Sequence, residues 1–179
     1  MPDSKIIKLK ICLVGEGAVG KTSLIKRFVF DAFDGKYITT LGTKITKKEV
    51  TIKHPSKGDK VNVTILIWDI MGQKGFRELL QEAYFYGAQG LIAVCDITNK
   101  ETMEELDGWI ESAFNVTGKV PIIFLANKSD LENKAQFTLD EFGEFAAKYE
   151  KSAVFSSSAK TGENVNKAFE TLSLEIIKE

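Results

Sequence analysis

The distribution of apolar residues along the chain predicts a protein in which strands alternate with helices. Six short runs rich in β-branched and other apolar residues each fit a strand. These predicted strands are Ile6–Val14, Thr43–Ile52, Val61–Trp68, Leu91–Cys95, Ile122–Leu125 and Ala153–Phe155. Helical patterns separate most of them, which indicates an α/β fold with a mostly parallel sheet. Residues 54–60 lie between the second and third runs, and their Pro55 and Gly58 fit a hairpin turn, so we expect one antiparallel pair.

Helices are indicated by capping residues and by the spacing of apolar positions. Thr98 with Glu101, and Thr138 with Glu141, match the capping box, in which hydroxyl and carboxylate satisfy backbone N–H groups at a helix start. The last predicted helix carries apolar residues every three or four positions, which predicts a face packed on the core. That face consists of Val165, Ala168, Phe169, Leu172 and Ile176.

Composition narrows the domain count and the classes of partner. The 179 residues, 44% of them hydrophobic, suffice for one buried core, so we expect a single domain over residues 1–179. A net charge of −1 predicts no general attraction to nucleic acid or to anionic membranes. The cysteines, Cys12 and Cys95, lie in apolar runs and are expected to be buried thiols in a reducing compartment.

The sequence carries no signal peptide and no apolar run near the ~18 residues that a membrane-spanning helix needs. Pro2 stands where myristoylation requires glycine. We therefore expect a cytoplasmic protein that encodes no membrane attachment in this chain. A peripheral position at a membrane is compatible with that expectation. We also expect the protein to be a monomer.

One glycine-rich segment predicts a phosphate-binding site. It follows the first predicted strand, precedes a helical stretch from Thr22 to Phe30, and fits the pattern G-x-x-x-x-G-K-[ST]. Glycine lets backbone N–H groups turn inward around phosphate oxygens, and the positive end of the helix attracts the anion. Lys21 would reach the β- and γ-phosphates, and Thr22 would offer its hydroxyl to Mg²⁺. The predicted phosphate-binding residues are Gly15, Glu16, Gly17, Ala18, Val19, Gly20, Lys21, Thr22 and Ser23.

Further motifs follow later strands, at the edge where a parallel sheet binds its ligands. After the third strand, Asp69 would hold Mg²⁺ through water and Gly72 would let the backbone approach the γ-phosphate. Gln73 would lie where an attacking water is oriented. An Asp and a Gly at a strand end also fit an ordinary turn, so this motif indicates a binding site only in combination with the other motifs of the chain.

The loop after the fifth strand carries residues that suit recognition of a guanine base. A carboxylate only accepts hydrogen bonds, and guanine offers two adjacent donors that adenine lacks in that arrangement. Asp130 would therefore select guanine, while the Lys128 stem covers the base and Asn127 ties this loop to the phosphate loop. After the sixth strand, the backbone N–H of Ala159 could contact the guanine carbonyl, within the sequence Ser157-Ser158-Ala159-Lys160.

In this order along the chain, the four motifs resemble those of the Ras superfamily of small GTPases, over essentially the whole sequence. The resemblance implies a P-loop NTPase fold of the G-domain type, a six-stranded, mostly parallel sheet with one antiparallel edge pair and helices on both faces. It implies a switch that binds GTP or GDP with Mg²⁺ and meets effector, exchange-factor and activating proteins through residues 33–42 and 69–84. The Rab branch is the most similar, on Trp68-Asp69, Gly72-Gln73, Phe76-Arg77 and residues 84–88.

The resemblance also assigns roles to single residues. Thr40, eighteen residues after Thr22, matches the threonine whose hydroxyl binds Mg²⁺ and whose backbone senses the γ-phosphate. Phe33 matches the aromatic residue that packs edge-on to guanine, and Tyr37 matches the one that closes over the phosphates. The implied catalytic residues are Gln73, Lys21 and Thr40, and the implied metal ligands are Thr22, Thr40 and, through water, Asp69.

Some positions depart from the family pattern and bear on hydrolysis. Ile70-Met71 replaces Thr-Ala, and Lys74-Gly75 replaces Glu-Arg, so the second switch and its partners are expected to be divergent. The only arginines are Arg27 and Arg77, which leaves the first switch without one, and intrinsic hydrolysis should be slow. Two rivals stay open: a nucleotide-binding scaffold with little turnover, and a P-loop kinase or ATPase, which the guanine-reading Asp130 disfavours.

Lysines outnumber acidic residues across the second strand and the hairpin that follows it. Such a distribution is typical of a solvated edge protected from aggregation, and less often of a surface for an acidic partner or lipid. We expect His54, in the hairpin, to be a plain exposed residue.

Overall fold

The protein, described by a computed structural model over residues 6–36, 42–70, 72 and 74–178, is built on one six-stranded sheet. The strands lie in the order β2-β3-β1-β4-β5-β6. They are β1 (Ile6–Val14), β2 (Thr43–Lys53), β3 (Lys60–Ile70), β4 (Gly90–Asp96), β5 (Ile122–Asn127) and β6 (Ser152–Ser157). All six predicted strands are confirmed, with ends that differ by at most two residues.

The sheet is parallel except at one edge. Strand β1 pairs in parallel with β3 and β4, and the parallel pairing continues through β5 to β6. Strand β2 pairs antiparallel with β3, from Thr43 opposite Ile70 to Lys53 opposite Lys60. The predicted antiparallel edge pair is therefore confirmed, and the carboxyl ends of the other strands meet at one edge of the sheet.

Helices cover both faces of the sheet, as the resemblance implied. They are α1 (Lys21–Phe30), α2 (Lys74–Phe85), α3 (Lys100–Glu104), α4 (Leu106–Thr117), α5 (Leu139–Ala146) and α6 (Val165–Lys178). One face packs on α1 and α6, where the rings of Phe28 and Phe169 stack with centroids 4.0 Å apart. The other face packs on α2 to α5, around the buried Trp109 and Phe142. The predicted core face of the last helix is confirmed, since all five of its residues are buried.

One of the two predicted capping boxes is wrong. At α5, the Thr138 hydroxyl accepts from Glu141 N, and the Glu141 carboxylate accepts from Thr138 N, as predicted. Before α3, the capping residue is Asn99, whose side chain accepts from Glu101 N at 3.2 Å. Thr98 instead donates its hydroxyl to Asp96 Oδ1 at 2.7 Å, because that carboxylate lies two residues before it at the end of β4.

The hairpin between β2 and β3 forms where it was predicted, but His54 has a role in it. His54 N donates to Asp59 O, and Gly58, with φ of 73°, closes the turn onto His54 O. The imidazole Nδ1 accepts from the backbone N–H groups of Ser56 and Lys57, at 3.2 and 3.3 Å. The expectation of a plain exposed residue is therefore wrong, since the ring organises the turn.

Both cysteines are buried, as expected. The Cys12 thiol donates to Tyr84 O, and burial raises the pKa of this thiol to about 12. Burial likewise raises the pKa of Cys95. Such thiols have little thiolate character and belong to the core. Among the described helices, none combines the length and the apolar character that crossing a membrane requires.

Candidate nucleotide-binding site

A cavity of about 360 Å³ opens at the carboxyl edge of the sheet, between the loops that follow β1, β3, β5 and β6. Most of the predicted binding residues that the structure describes line it. These are Gly17, Ala18, Gly20, Lys21, Thr22, Ser23, Phe33, Gly72, Asn127, Lys128, Asp130, Ala159 and Lys160. The sequence did not assign the other lining residues to the nucleotide site; these are Lys26, Asp34, Gly35, Lys36, Ile70 and Leu131.

Five predicted residues do not line the cavity wall itself. Gly15 and Val19 are buried in the phosphate loop, and Glu16 lies beside them in the same loop. Asp69 and Ser158 are buried as well and hold residues that do line the wall. Three other predicted residues, Tyr37, Thr40 and Gln73, lie outside the described residues, as does Met71.

The phosphate loop leads directly from β1 into α1. Gly20 caps the helix with φ of 101°, and its carbonyl accepts from Leu24 N at 2.9 Å. A side chain at position 20 would meet Asn127, because a Cβ there would lie 2.4 Å from Asn127 Nδ2. Glycine is therefore required by both the positive φ and the close approach of the fifth-strand loop.

Lys21 is buried and its ammonium is held by the loop. Its Nζ donates to Gly15 O at 2.7 Å and to Glu16 O at 2.8 Å. Burial lowers the pKa of Lys21 to about 8, and the carboxylates of Asp69 and Glu16 oppose part of that shift. A lysine placed in this way favours an added anion, because the anion would restore the charged form that burial disfavours.

Thr22 and Asp69 bring two potential metal-ligand oxygens together at the end of β3. The Thr22 hydroxyl donates to Asp69 Oδ2 at 2.5 Å, and Asp69 is buried. Gly72 lies against the phosphate loop, since a Cβ on it would lie 2.4 Å from Gly17 N. Hydroxyl and carboxylate oxygens are the ligand type that Mg²⁺ prefers, so the residues present fit that metal.

The loop after β5 is tied to the phosphate loop by side chains. Asn127 Nδ2 donates to Val19 O at 2.9 Å, which is the tie predicted for it. Lys128 Nζ donates to Ala18 O at 2.8 Å and pairs with Asp96 Oδ2 at 2.6 Å. The role of Asp96, at the end of β4, was missed, because a single acidic residue at a strand end is not a distinctive pattern.

Asp130 lies on the cavity wall with its carboxylate oriented by a neighbouring loop. Ser158, after β6, donates its hydroxyl to Asp130 Oδ1 at 2.7 Å. Ala159 lines the same wall and is buried. The structure therefore brings together the two groups that the sequence assigned to reading the base.

Trp109 supports the phosphate loop from α4, which sequence reasoning missed. Its Nε1 donates to Glu16 Oε1 at 2.9 Å, across 93 residues of sequence, and its ring is fully buried. The apolar spacing of α4 predicts burial of the ring, but nothing local to Trp109 identifies Glu16 as its partner. Taken together, fold and site define a nucleotide-binding α/β domain of the phosphate-loop class.

Comparison with known proteins gives the family. Residues 10–178 match the model of the Ras family. Ras-related protein Rab-18 of Lymnaea stagnalis is 36% identical over 181 residues, which cover 99% of this chain and 85% of the relative. Rab-18 of Caenorhabditis briggsae is 36% identical over 98% of this chain and 83% of its own length. Ras-related protein Rab-13 of Rattus norvegicus is 34% identical, over 94% and 79%. The chain therefore belongs to the Ras family, as a Rab-like, GTP-binding small GTPase.

Proposed function

We propose that this chain is a Mg²⁺-dependent guanine-nucleotide switch in which Asp130 selects the base and Lys21 holds the phosphates. The observation that carries the proposal is the convergence of both residues on one cavity wall, at the carboxyl edge of the sheet. Asp130 and Lys21 come from loops more than a hundred residues apart. A cavity lined by a buried cation at one end and an oriented carboxylate at the other suits a nucleotide.

Selection of guanine rests on the acceptor-only chemistry of Asp130. The carboxylate would accept from guanine N1–H and from the exocyclic amine. Ser158 orients it by donating to Oδ1 at 2.7 Å, and each oxygen keeps a further lone pair for the base. Adenine would leave this acceptor unpaired once the bound base shields it from water, which costs about 1–3 kcal/mol for one group.

The Thr22 hydroxyl and the Asp69 carboxylate are the proposed magnesium ligands, Asp69 through water, together with Thr40. A bound Mg²⁺ would neutralise charge on the β- and γ-phosphate oxygens. Thr22 and Asp69 already lie within 2.5 Å of each other through their oxygens, so both can face one site. Lys21 would hold phosphate oxygens with its ammonium, and Gly72, which lies against the phosphate loop, would offer its backbone to the γ-phosphate.

We assign the positioning of the attacking water to Gln73 and expect intrinsic hydrolysis to be slow. Rates on the order of 10⁻⁴ to 10⁻² s⁻¹ are usual where no arginine is supplied by a partner. The alternative is a scaffold that binds nucleotide and scarcely turns it over. A single-turnover assay on GTP-loaded protein, with wild type and Gln73→Leu, separates the two. Hydrolysis in wild type that the substitution abolishes supports the switch, and equal stability of GTP on both proteins supports the scaffold.

The relatives suggest where such a switch acts. Because the relatives reported above are Ras-related Rab proteins, we place the chain in a trafficking or signalling role, with effectors and regulators bound through residues 33–42 and 69–84. The departures at Met71, Lys74 and Gly75 lie inside the second of these segments. We therefore expect its partners to differ from those of its relatives.

The base-reading role is tested by Asp130→Asn. The amide can donate to the ring oxygen that replaces the amine in xanthine, so the variant should lose affinity for GDP and gain affinity for XDP. Competition against a fluorescent GDP analogue measures both. Asp59→Asn, in the hairpin at the opposite end of β3, is the matched control and should bind as wild type does. A variant at position 130 that still prefers GDP to XDP would refute the assignment.

A further inference from the structure

Arg27, on α1, grips the loop that follows β6. Its Nε donates to Ala159 O at 2.8 Å, and its Nη2 donates to Lys160 O at 2.6 Å. Its side chain is only 18% exposed. A guanidinium is a rigid planar fork, so two bonds to successive carbonyls fix both the position and the orientation of that backbone.

The gripped loop is also connected to Asp130. Thr161 N donates to Ser158 Oγ at 3.1 Å, and the same hydroxyl donates to Asp130 Oδ1. Gly162 N donates to Ser158 O at 2.8 Å, which closes the turn. The peptide unit between residues 160 and 161 thus carries Arg27 on its carbonyl and Ser158 on its N–H. Arg27 supports both elements that face the base.

Helix α1 also carries the phosphate-binding end of the site. Lys21, its first residue, lies in the cavity wall, and Arg27 lies six residues further along the helix. The helix is anchored on the sheet by its buried residues, including Phe28, stacked on Phe169 of α6. The grip of Arg27 therefore fixes the distance between the phosphate end and the base end of the cavity.

We propose that Arg27 is a positioning residue that couples the phosphate-binding helix to the base-reading loop and thereby slows release of guanine nucleotide. The inference rests on the guanine site proposed above. Without the fork, the loop would have to be ordered at each binding event, and that entropy cost would weaken the contact from Ala159 to the guanine carbonyl. Contacts to the phosphates would persist, since they come from the other end of the helix.

The test is the dissociation rate of GDP from Arg27→Ala, measured with a fluorescent analogue at fixed Mg²⁺. Loss of two charge-assisted bonds to backbone predicts release about tenfold faster or more. The ratio of GDP affinity to ADP affinity should fall by a similar factor, because adenine has no carbonyl for Ala159 to contact. Arg27→Lys keeps the charge but not the fork and should give an intermediate rate.

Asp31→Gly is the matched control. Asp31 pairs with Arg27 Nη1 at 3.0 Å, but its own side chain is 91% exposed, and its φ of 49° suits glycine. The control removes the ion pair and leaves both carbonyl bonds, so GDP release should stay within about twofold of wild type, as for other exposed ion pairs.

Four results would overturn the inference. One is GDP release from Arg27→Ala at the wild-type rate, and another is an equal loss of GDP and ADP affinity, which indicates general destabilisation. If Arg27→Ala does not fold, Arg27→Lys decides, and wild-type release and selectivity in that variant would exclude the role. A wild-type protein that binds ADP as well as GDP would instead refute the guanine site itself, and with it the coupling.

Discussion

Replacement of Trp109 by phenylalanine measures how much the phosphate loop depends on helix α4. The indole is fully buried, and its Nε1–H reaches Glu16 Oε1 at 2.9 Å. Phenylalanine keeps most of the apolar ring and removes the donor. The substitution therefore tests mainly the bond between the helix and the second residue of the loop.

The expected loss of stability follows from two contributions. A hydrogen bond to a charged acceptor contributes about 1.5–3 kcal/mol, and the lower end applies because Glu16 is only half-buried and can turn to water. The smaller ring leaves space in a packed core, which adds about 1 kcal/mol. We expect Trp109→Phe to lower the free energy of unfolding by about 2–3 kcal/mol.

Urea unfolding of nucleotide-free protein, followed by circular dichroism, is the assay, since bound nucleotide would add its own contribution. Trp68→Phe is the matched control, because Trp68 Nε1 has no hydrogen-bond partner within the described part of the chain. That variant should cost less than about 1 kcal/mol, mainly because phenylalanine is a weaker cation–π partner for Lys10 than tryptophan is.

A double-mutant cycle with Glu16→Ala isolates the bond itself. If the bond contributes as calculated, the two substitutions should couple by at least about 1 kcal/mol. The reasoning fails if Trp109→Phe costs no more than Trp68→Phe. It also fails if the effects at positions 16 and 109 add to within about 0.5 kcal/mol.

Three further outcomes are expected. GDP affinity should fall as pH rises above about 8, by up to about tenfold per pH unit. The reason is that burial lowers the pKa of Lys21 to about 8 in the free protein, whereas bound phosphate would keep Lys21 protonated. Calorimetry that finds equal GDP affinity at pH 7 and pH 9 would contradict this. Gly20→Ala should cost about 2–4 kcal/mol in urea unfolding, because its Cβ would collide with Asn127. Gly118→Ala is in open space, and its φ of 71° with ψ of −170° is a conformation that only glycine adopts readily, so it should cost about 1–3 kcal/mol for strain alone. Thr138→Ala should cost about 1 kcal/mol through loss of the capping box, with Thr138→Ser close to wild type; equal stability of all three proteins would deny the cap any role.

Local patterns predicted the sheet well, because a strand buried on both faces needs a continuous apolar run. Strand β4, which is buried at every position, and β5 are the best examples. The hairpin followed from Pro55 and Gly58, which fit a turn better than a helix. The predicted strand ends are off by up to two residues, since the last residues of a strand, such as Asp69 and Ile70 of β3, already lie at the site.

The wrong capping box shows where local patterns fail. Thr98 has the right spacing from Glu101, yet Asn99 caps the helix. The competing acceptor is Asp96, which also pairs with Lys128 and so is held in place by the loop after β5. A cap is therefore chosen by the tertiary contacts of its neighbours, and these contacts are absent from the local sequence.

The binding loops illustrate a more general reason why contacts between distant loops could not be predicted from the sequence. Asn127 donates to Val19 O, Lys128 donates to Ala18 O, and Lys21 donates to Gly15 O. In each pair the acceptor is a backbone carbonyl, which every residue possesses. Only the donor side chain can therefore be identified from the sequence. These bonds draw carbonyls of the phosphate loop toward side-chain donors, which helps to leave its N–H groups for an anion. The motif therefore predicts where phosphate binds. The side chains that hold the loop in that shape become evident only in the folded sheet, where β4 lies between β1 and β5 and the loops after β1 and β5 meet.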